Sequence, residues 1–131
     1  NLLVVCGEGL TFTQNYVSPG SVSTAYVNFP DPWPKDRHAK HRIVRAPFVN
    51  EMARILNHDG EMILVTDDVD YSLIMVDEMN RSEDFEASYP EPYFLSNVDD
   101  YGSSWFEQLW KEMGRVIRHI KYRRKAHSEV K

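Results

Sequence analysis

The chain opens on Leu2-Leu3-Val4-Val5-Cys6, an unbroken apolar run closed by Gly7. Such a run, without polar alternation, predicts a strand buried on both faces, as in a parallel sheet. Ser18-Pro19-Gly20 is a turn signal. Thr24 to Phe29 reads as a second strand, stopped by Pro30 and Pro32, and residues 30–42 as a polar loop punctuated by proline. Phe48, Val49, Met52, Ala53 and Leu56 recur at helical spacing, with Pro47 suited to the first turn and Asp59-Gly60 to the end. Glu61 to Thr66 is a third strand. Tyr71, Ile74, Met75 and Met79 outline a second helix, with acids at its start that favour the dipole. Residues 82–103, with Pro90 and Pro92, read as irregular. Trp105, Phe106, Leu109, Trp110 and Met113 mark a short helix stopped by Gly114, and Val116 to Arg123 a fourth strand. Strands alternating with helices indicate an α/β fold with a mostly parallel sheet.

Composition narrows the class. The 131 residues are 42% hydrophobic and 27% charged, which suits one globular domain and argues against wholesale disorder. The longest apolar runs fall far short of the ~20 residues that span a bilayer, so no membrane partner is expected. The single cysteine, Cys6, excludes an internal disulfide, fits a reducing, cytoplasmic setting and reads as a buried small hydrophobe. The chain enters its first strand directly at Asn1. That reads as the middle of a fold, and the chain as the later part of a longer protein.

The net charge of −5 hides a segregation. Residues 35–45 hold five of the fifteen cations, and residues 111–131 hold eight more. The intervening residues 46–110 carry two cations and fifteen acids. A basic patch on an acidic body points to a local anionic partner, nucleic acid before membrane.

Open α/β sheets bind ligands beyond the carboxyl ends of their strands. Three places qualify: Gly7-Glu8-Gly9, Pro30 to Arg42, and Thr66-Asp67-Asp68. In the second, three prolines stiffen the backbone around Asp31. Trp33 adds a flat face, and Lys35, Arg37, Lys40 and Arg42 supply a row of cations. One acid, one aromatic and several cations can grip a nucleotide beside a phosphate backbone. His38 and His41 lie three apart, without cysteine or acidic ligands at suitable spacing, and are not expected to hold a metal.

The same residues carry a family resemblance. Phe29-Pro30-Asp31-Pro32-Trp33, Lys35 two places on, and the basic run Arg37-His38-Ala39-Lys40-His41-Arg42 resemble the signature of the tRNA (guanine-N7)-methyltransferases. Val65-Thr66-Asp67 and Ser104-Trp105-Phe106-Glu107 are similar to two further segments of that family. The resemblance implies a partial Rossmann-like, class I S-adenosylmethionine-dependent methyltransferase fold, whose sheet order is 3-2-1-4-5-7-6. Residues 1–131 would then be the C-terminal part of a single methyltransferase domain. They would keep about four strands (4-5-7-6), with Leu2 to Cys6 as strand 4, and lack strands 1–3 and the glycine-rich donor loop. Strand 4 would present an apolar edge to a missing N-terminal half or a partner chain.

The resemblance also implies roles. Asp31 is the central acid, lying by both donor and base. Glu8 stands where the family usually has Asp, near the donor adenine, and Asn28 lies against the donor through its backbone. Lys35, Asp67, Ser104, Trp105, Phe106 and Glu107 match substrate-contacting positions, with Trp105 in place of a usual Lys. Arg37, His38, Lys40, His41 and Arg42 match the RNA-contacting run. Plainer roles stand beside these: Asp31 capping a turn, Asp67 as a helix N-cap, Trp105 and Trp110 as core, and the cations as solvated surface. The implied activity is methyl transfer from S-adenosylmethionine to N7 of a guanine in tRNA. The alternatives are a non-catalytic RNA-binding remnant or subunit that uses residues 35–42 and 115–125, and an amino-group nucleic-acid methyltransferase.

Overall fold

The computed structural model describes residues 2–33, 35–96, 114 and 116–126. In chain order the elements are α1 (Gly9–Tyr16), β1 (Val22–Asn28), a 3-10 helix (Asp36–His41), α2 (Ala46–Ile55), β2 (Leu56–Thr66), α3 (Val69–Arg81), β3 (Phe85–Ala87), β4 (Leu95–Ser96) and β5 (Arg118–Arg124). The sheet runs β1-β2-β5-β3, with β4 pairing β5 as well. Only β1 and β2 are parallel; β5 is antiparallel to β2, β3 and β4, so the described sheet is mostly antiparallel rather than mostly parallel as the alternation predicts.

Register decides which residues share a face. Val27 pairs with Leu64, and Leu64 with Ile120; Met62 pairs with Tyr122. Paired residues point to the same side of a sheet, so these form one apolar face. The apolar stripes of α2 (Phe48, Val49, Met52, Ala53, Ile55) and α3 (Tyr71, Met75, Met79) belong to the same buried cluster. Pro47 stands in the first turn of α2, as its spacing predicts. The opposite face carries a charged ladder: Lys121 Nζ lies 2.7 Å from Glu61, and Arg123 pairs with both Asp59 and Glu86.

Several expectations are corrected. Leu2 to Cys6 is not a strand; it has no regular structure, and its side chains are exposed, Leu2 by 90% and Val4 by 81%. Cys6 is exposed too, not a buried hydrophobe. A fully apolar strand needs neighbours on both sides, and the described sheet gives this segment none. The expected placement of Leu2 to Cys6 as the first of four sheet strands is therefore not met: the described sheet begins at β1. Among the described residues the sheet ends at β1 on one side and β3 on the other.

Asp59-Gly60 does not end α2. The helix stops at Ile55 and the chain enters β2 at the next residue. Asp59 instead takes φ +64° inside β2, where the register jumps from Val22↔Leu56 to Thr24↔Glu61. Gly60 fits there because a Cβ would stand 2.9 Å from the Asn57 carbonyl oxygen. Residues 82–103 are not wholly irregular: β3 and β4 lie within them. Residues 30–42 are not all loop, since they contain the 3-10 turn. The helix expected over Trp105 to Met113 falls outside the described residues; Gly114 has φ +77°.

Candidate active site and nucleic-acid interface

The site is built at the carboxyl ends of the two parallel strands. After Asn28 the chain turns sharply at Phe29, φ +49°, whose N–H donates to the Val65 carbonyl at 2.8 Å. This contact ties the start of the proline loop to the end of β2. Asp31 follows, exposed, and its Oδ1 accepts the Trp33 N–H at 3.1 Å. The carboxylate thus closes a local turn while keeping its outer face in solvent.

Trp33 also has positive φ, +43°, which bulky residues rarely adopt. Two contacts hold it. Its ring packs against His38 and His41, with centroids 5.3 and 4.9 Å away. Its carbonyl accepts from Arg42 Nη2 at 2.9 Å, while Arg42 Nε donates to the Pro32 carbonyl at 2.7 Å. The 3-10 helix is what folds His38, His41 and Arg42 back over Trp33.

The far end of the basic run is pinned to α3. Val44 is fully buried, and its N–H donates to the Tyr71 hydroxyl at 3.1 Å. Burial pushes the Tyr71 phenol up; the Val44 N–H and nearby Arg42 oppose this, and Asp31 adds to it. Asp31, Arg42 and Tyr71 therefore share one electrostatic neighbourhood.

The third expected place sits at the end of β2. Of the two adjacent acids, Asp68 caps α3: its Oδ1 accepts the Tyr71 N–H at 2.7 Å, and its own N–H donates to Thr66 Oγ1 at 3.1 Å. The cap is thus Asp68, and Asp67 stands half-buried at the strand end. Glu8, the residue before α1, is exposed and makes no side-chain capping bond. It lines a cleft of about 560 Å³ together with Leu10, Lys40, His41, Arg42 and Phe48. The structure therefore brings Glu8 and the basic run to one cleft. Ser104, Trp105, Phe106 and Glu107 lie outside the described residues.

The two basic segments differ in kind. Lys35, Arg37 and Lys40 are exposed, and none pairs with a described acidic side chain. The cations of β5 are occupied. Lys121 and Arg123 join the charged ladder, and Arg124 donates to the Ala53 carbonyl at 2.8 Å. Arg118 bonds Ser72 Oγ at 2.9 Å and covers the Phe94 ring. The 115–125 run, read from charge alone as a second RNA surface, is in its described cations largely structural.

Sequence reasoning passed over α1 and the arginine that docks it. Arg54 grips Glu51 through Nε at 2.6 Å and donates to the Thr13 and Val17 carbonyls, each at 2.9 Å. This fastens α1, the element after Glu8, onto α2. The only sequence signal was Arg54 itself, one of two cations in an acidic body. Tyr71 was legible as core, yet a buried tyrosine hydroxyl requires a partner, and that requirement was the available clue.

Residues 1–120 match the family model described as "Putative methyltransferase". The chain belongs to this methyltransferase family. Among curated members of known name, it is 40% identical over 126 residues to the tRNA (guanine-N(7)-)-methyltransferase of Chlamydia abortus, covering 96% of this chain and 55% of that protein. It is 44% identical over 117 residues to the enzyme of the same name from Chlamydia muridarum, covering 89% and 51%. It is 32% identical over 126 residues to that of Aliivibrio salmonicida, covering 96% and 53%. The chain thus spans about half the length of these relatives. The resemblance read from the Phe-Pro-Asp-Pro-Trp loop is the one that these methyltransferase relatives bear. No helix among the described residues is long and apolar enough to cross a membrane.

Proposed function

We propose that this methyltransferase places a methyl group on N7 of a guanine in tRNA, in the cytoplasm, with residues 1–131 as the C-terminal part of a single catalytic domain. One observation carries the reading. The loop Phe29 to Trp33 presents a solvent-facing Asp31 at the carboxyl end of β1, beside exposed cations without described acidic partners.

The chemistry asks little of the protein beyond placement. Guanine N7 has an in-plane lone pair and no proton to lose, so no general base is needed. S-adenosylmethionine, when bound, supplies an electrophilic methyl on a sulfonium. Glu8, the Asn28 backbone and Asp31 would hold that donor; Glu8 lines the cleft, and Asn28 and Asp31 stand at the carboxyl end of β1. Asp31 accepts hydrogen bonds from the Watson–Crick edge of guanine, which orients the ring and raises electron density at N7. Lys35 and Asp67 contact the nucleotide, as do Ser104, Trp105, Phe106 and Glu107, while Arg37, His38, Lys40 and His41 meet the flanking phosphates. The apolar segment Leu2 to Cys6 precedes β1. In the order 3-2-1-4-5-7-6, β1, β2, β5 and β3 would take places 4, 5, 7 and 6.

The test is label transfer from S-adenosylmethionine to unmodified tRNA by the intact protein. The expected product is 7-methylguanosine, and Asp31→Asn lowers kcat by roughly 10²–10³-fold with little change in tRNA affinity. Label on an exocyclic amine supports the amino-group reading instead. Salt-sensitive tRNA binding with no transfer supports a non-catalytic RNA-binding protein.

A further inference from the structure

The geometry points to Arg42 as a positioning residue that fixes Asp31 through Trp33, rather than as a contact to RNA. This deepens the proposed function and rests on it. Arg42 closes the basic run and by sequence is one more phosphate-binding cation. Arg42, however, is half-buried, and its guanidinium bonds back onto the proline loop. Nε donates to the Pro32 carbonyl and Nη2 to the Trp33 carbonyl, at 2.7 and 2.9 Å. These are the two residues that follow Asp31.

The chain of contacts is short. The Trp33 N–H holds Asp31 Oδ1. Trp33 reaches that carboxylate from a left-handed backbone conformation that costs energy in a bulky residue. Two charge-assisted hydrogen bonds from one planar fork can hold adjacent carbonyls in that arrangement. An ammonium is a point charge on a flexible stem and cannot span both carbonyls with fixed geometry. On the other side, Tyr71 takes the Val44 N–H, two residues beyond Arg42. The arginine is thereby referred to the rigid start of α3.

Lys40 provides the internal contrast. It is exposed, two residues earlier, and its side chain has no described partner. A phosphate contact removed there should weaken tRNA binding and reduce the salt slope by about one.

The experiment compares Arg42→Ala, Arg42→Lys and Lys40→Ala in the intact protein. Single-turnover methyl transfer and salt-dependent tRNA binding are measured for each. Positioning predicts that both Arg42 variants lose about 10²-fold in the transfer rate at saturating tRNA, with an unchanged salt slope. It also predicts that millimolar free guanidinium restores part of the rate in Arg42→Ala. A salt slope lower by about one with an unchanged saturated rate overturns the inference, as does a wild-type rate in Arg42→Lys. If Arg42→Ala fails to fold, Arg42→Lys, which keeps charge and reach, decides the question alone. If the wild-type protein transfers no methyl, the parent reading fails. The loop geometry is then read from the Trp33 indole N–H resonance, assigned with Trp33→Phe. Movement of that resonance in Arg42→Lys but not in Lys40→Ala supports positioning; no movement overturns it.

Discussion

Two cations of one short run, Lys40 and Arg42, have opposite fates, and local backbone folding explains why. The 3-10 turn carries residues 36–41 around Trp33 and delivers Arg42 to the carbonyls behind it, while Lys40 stays in solvent. Lys35→Ala and Lys40→Ala should each reduce the salt slope of tRNA binding by about one, with little effect on stability. The acids divide in the same way. Asp68 caps α3, so Asp68→Ala should cost about 1 kcal/mol of stability, measurable by urea unfolding; Asp67→Ala should cost less stability and more transfer. Glu51 gives a pH prediction. The Arg54 hydrogen bond holds its carboxyl below its ordinary value of 4.5, against the opposing pull of burial. A depressed carboxylate stabilises the fold above that value and loses its contribution as pH falls through the lower folded value. Thermal midpoints in acid should therefore fall less steeply for Glu51→Gln than for the parent.

At the level of elements, α1 is the least self-sufficient. It buries no residue fully and starts at Glu8 without a side-chain cap. Its weak apolar stripe explains why the hydrophobic pattern gave no helix there, and its placement depends on Arg54. Arg54→Ala should lower the thermal midpoint by several degrees and expose residues 9–20 to limited proteolysis, with α2 and β2 still protected. An unchanged digestion pattern would mean that α1 is held by other contacts. The irregular start of β2 makes a second case. Gly60 sits against the Asn57 carbonyl, so Gly60→Ala should cost about 1–3 kcal/mol from overpacking, read from denaturant midpoints. A glycine beside an aspartate reads locally as a helix stop, and nothing in the sequence distinguishes that from a bulge inside a strand.

For the molecule as a whole, the exposed apolar run Leu2 to Val5 and the β1 edge are two uncovered surfaces among the described residues. A 131-residue protein carrying both should self-associate. Sedimentation of this chain alone should show concentration-dependent association that Leu3→Lys with Val4→Lys weakens. A monomer at every concentration would remove the support for reading the segment as part of a larger sheet. Charge segregation also resolves at this scale: the acidic body uses its own acids to neutralise β5, which leaves the 35–40 cations as the exposed electropositive feature among the described residues.

By itself the sequence determined the α/β class, the amphipathic helices α2 and α3, the central strands and the loop bearing Asp31. Each of these rests on periodicity or on a dense local motif, which short stretches of chain carry in full. It also determined the family, because Phe29 to Arg42 is long and specific. Only the tertiary structure decided that Leu2 to Cys6 lacks strand neighbours, that Asp68 and not Asp67 caps α3, and that Arg42 bonds back onto the proline loop. It also decided that the β5 cations Lys121 and Arg123 meet acids of β2 and β3. Hydrophobic periodicity says that a residue is to be buried or paired; only long-range register and packing say with what.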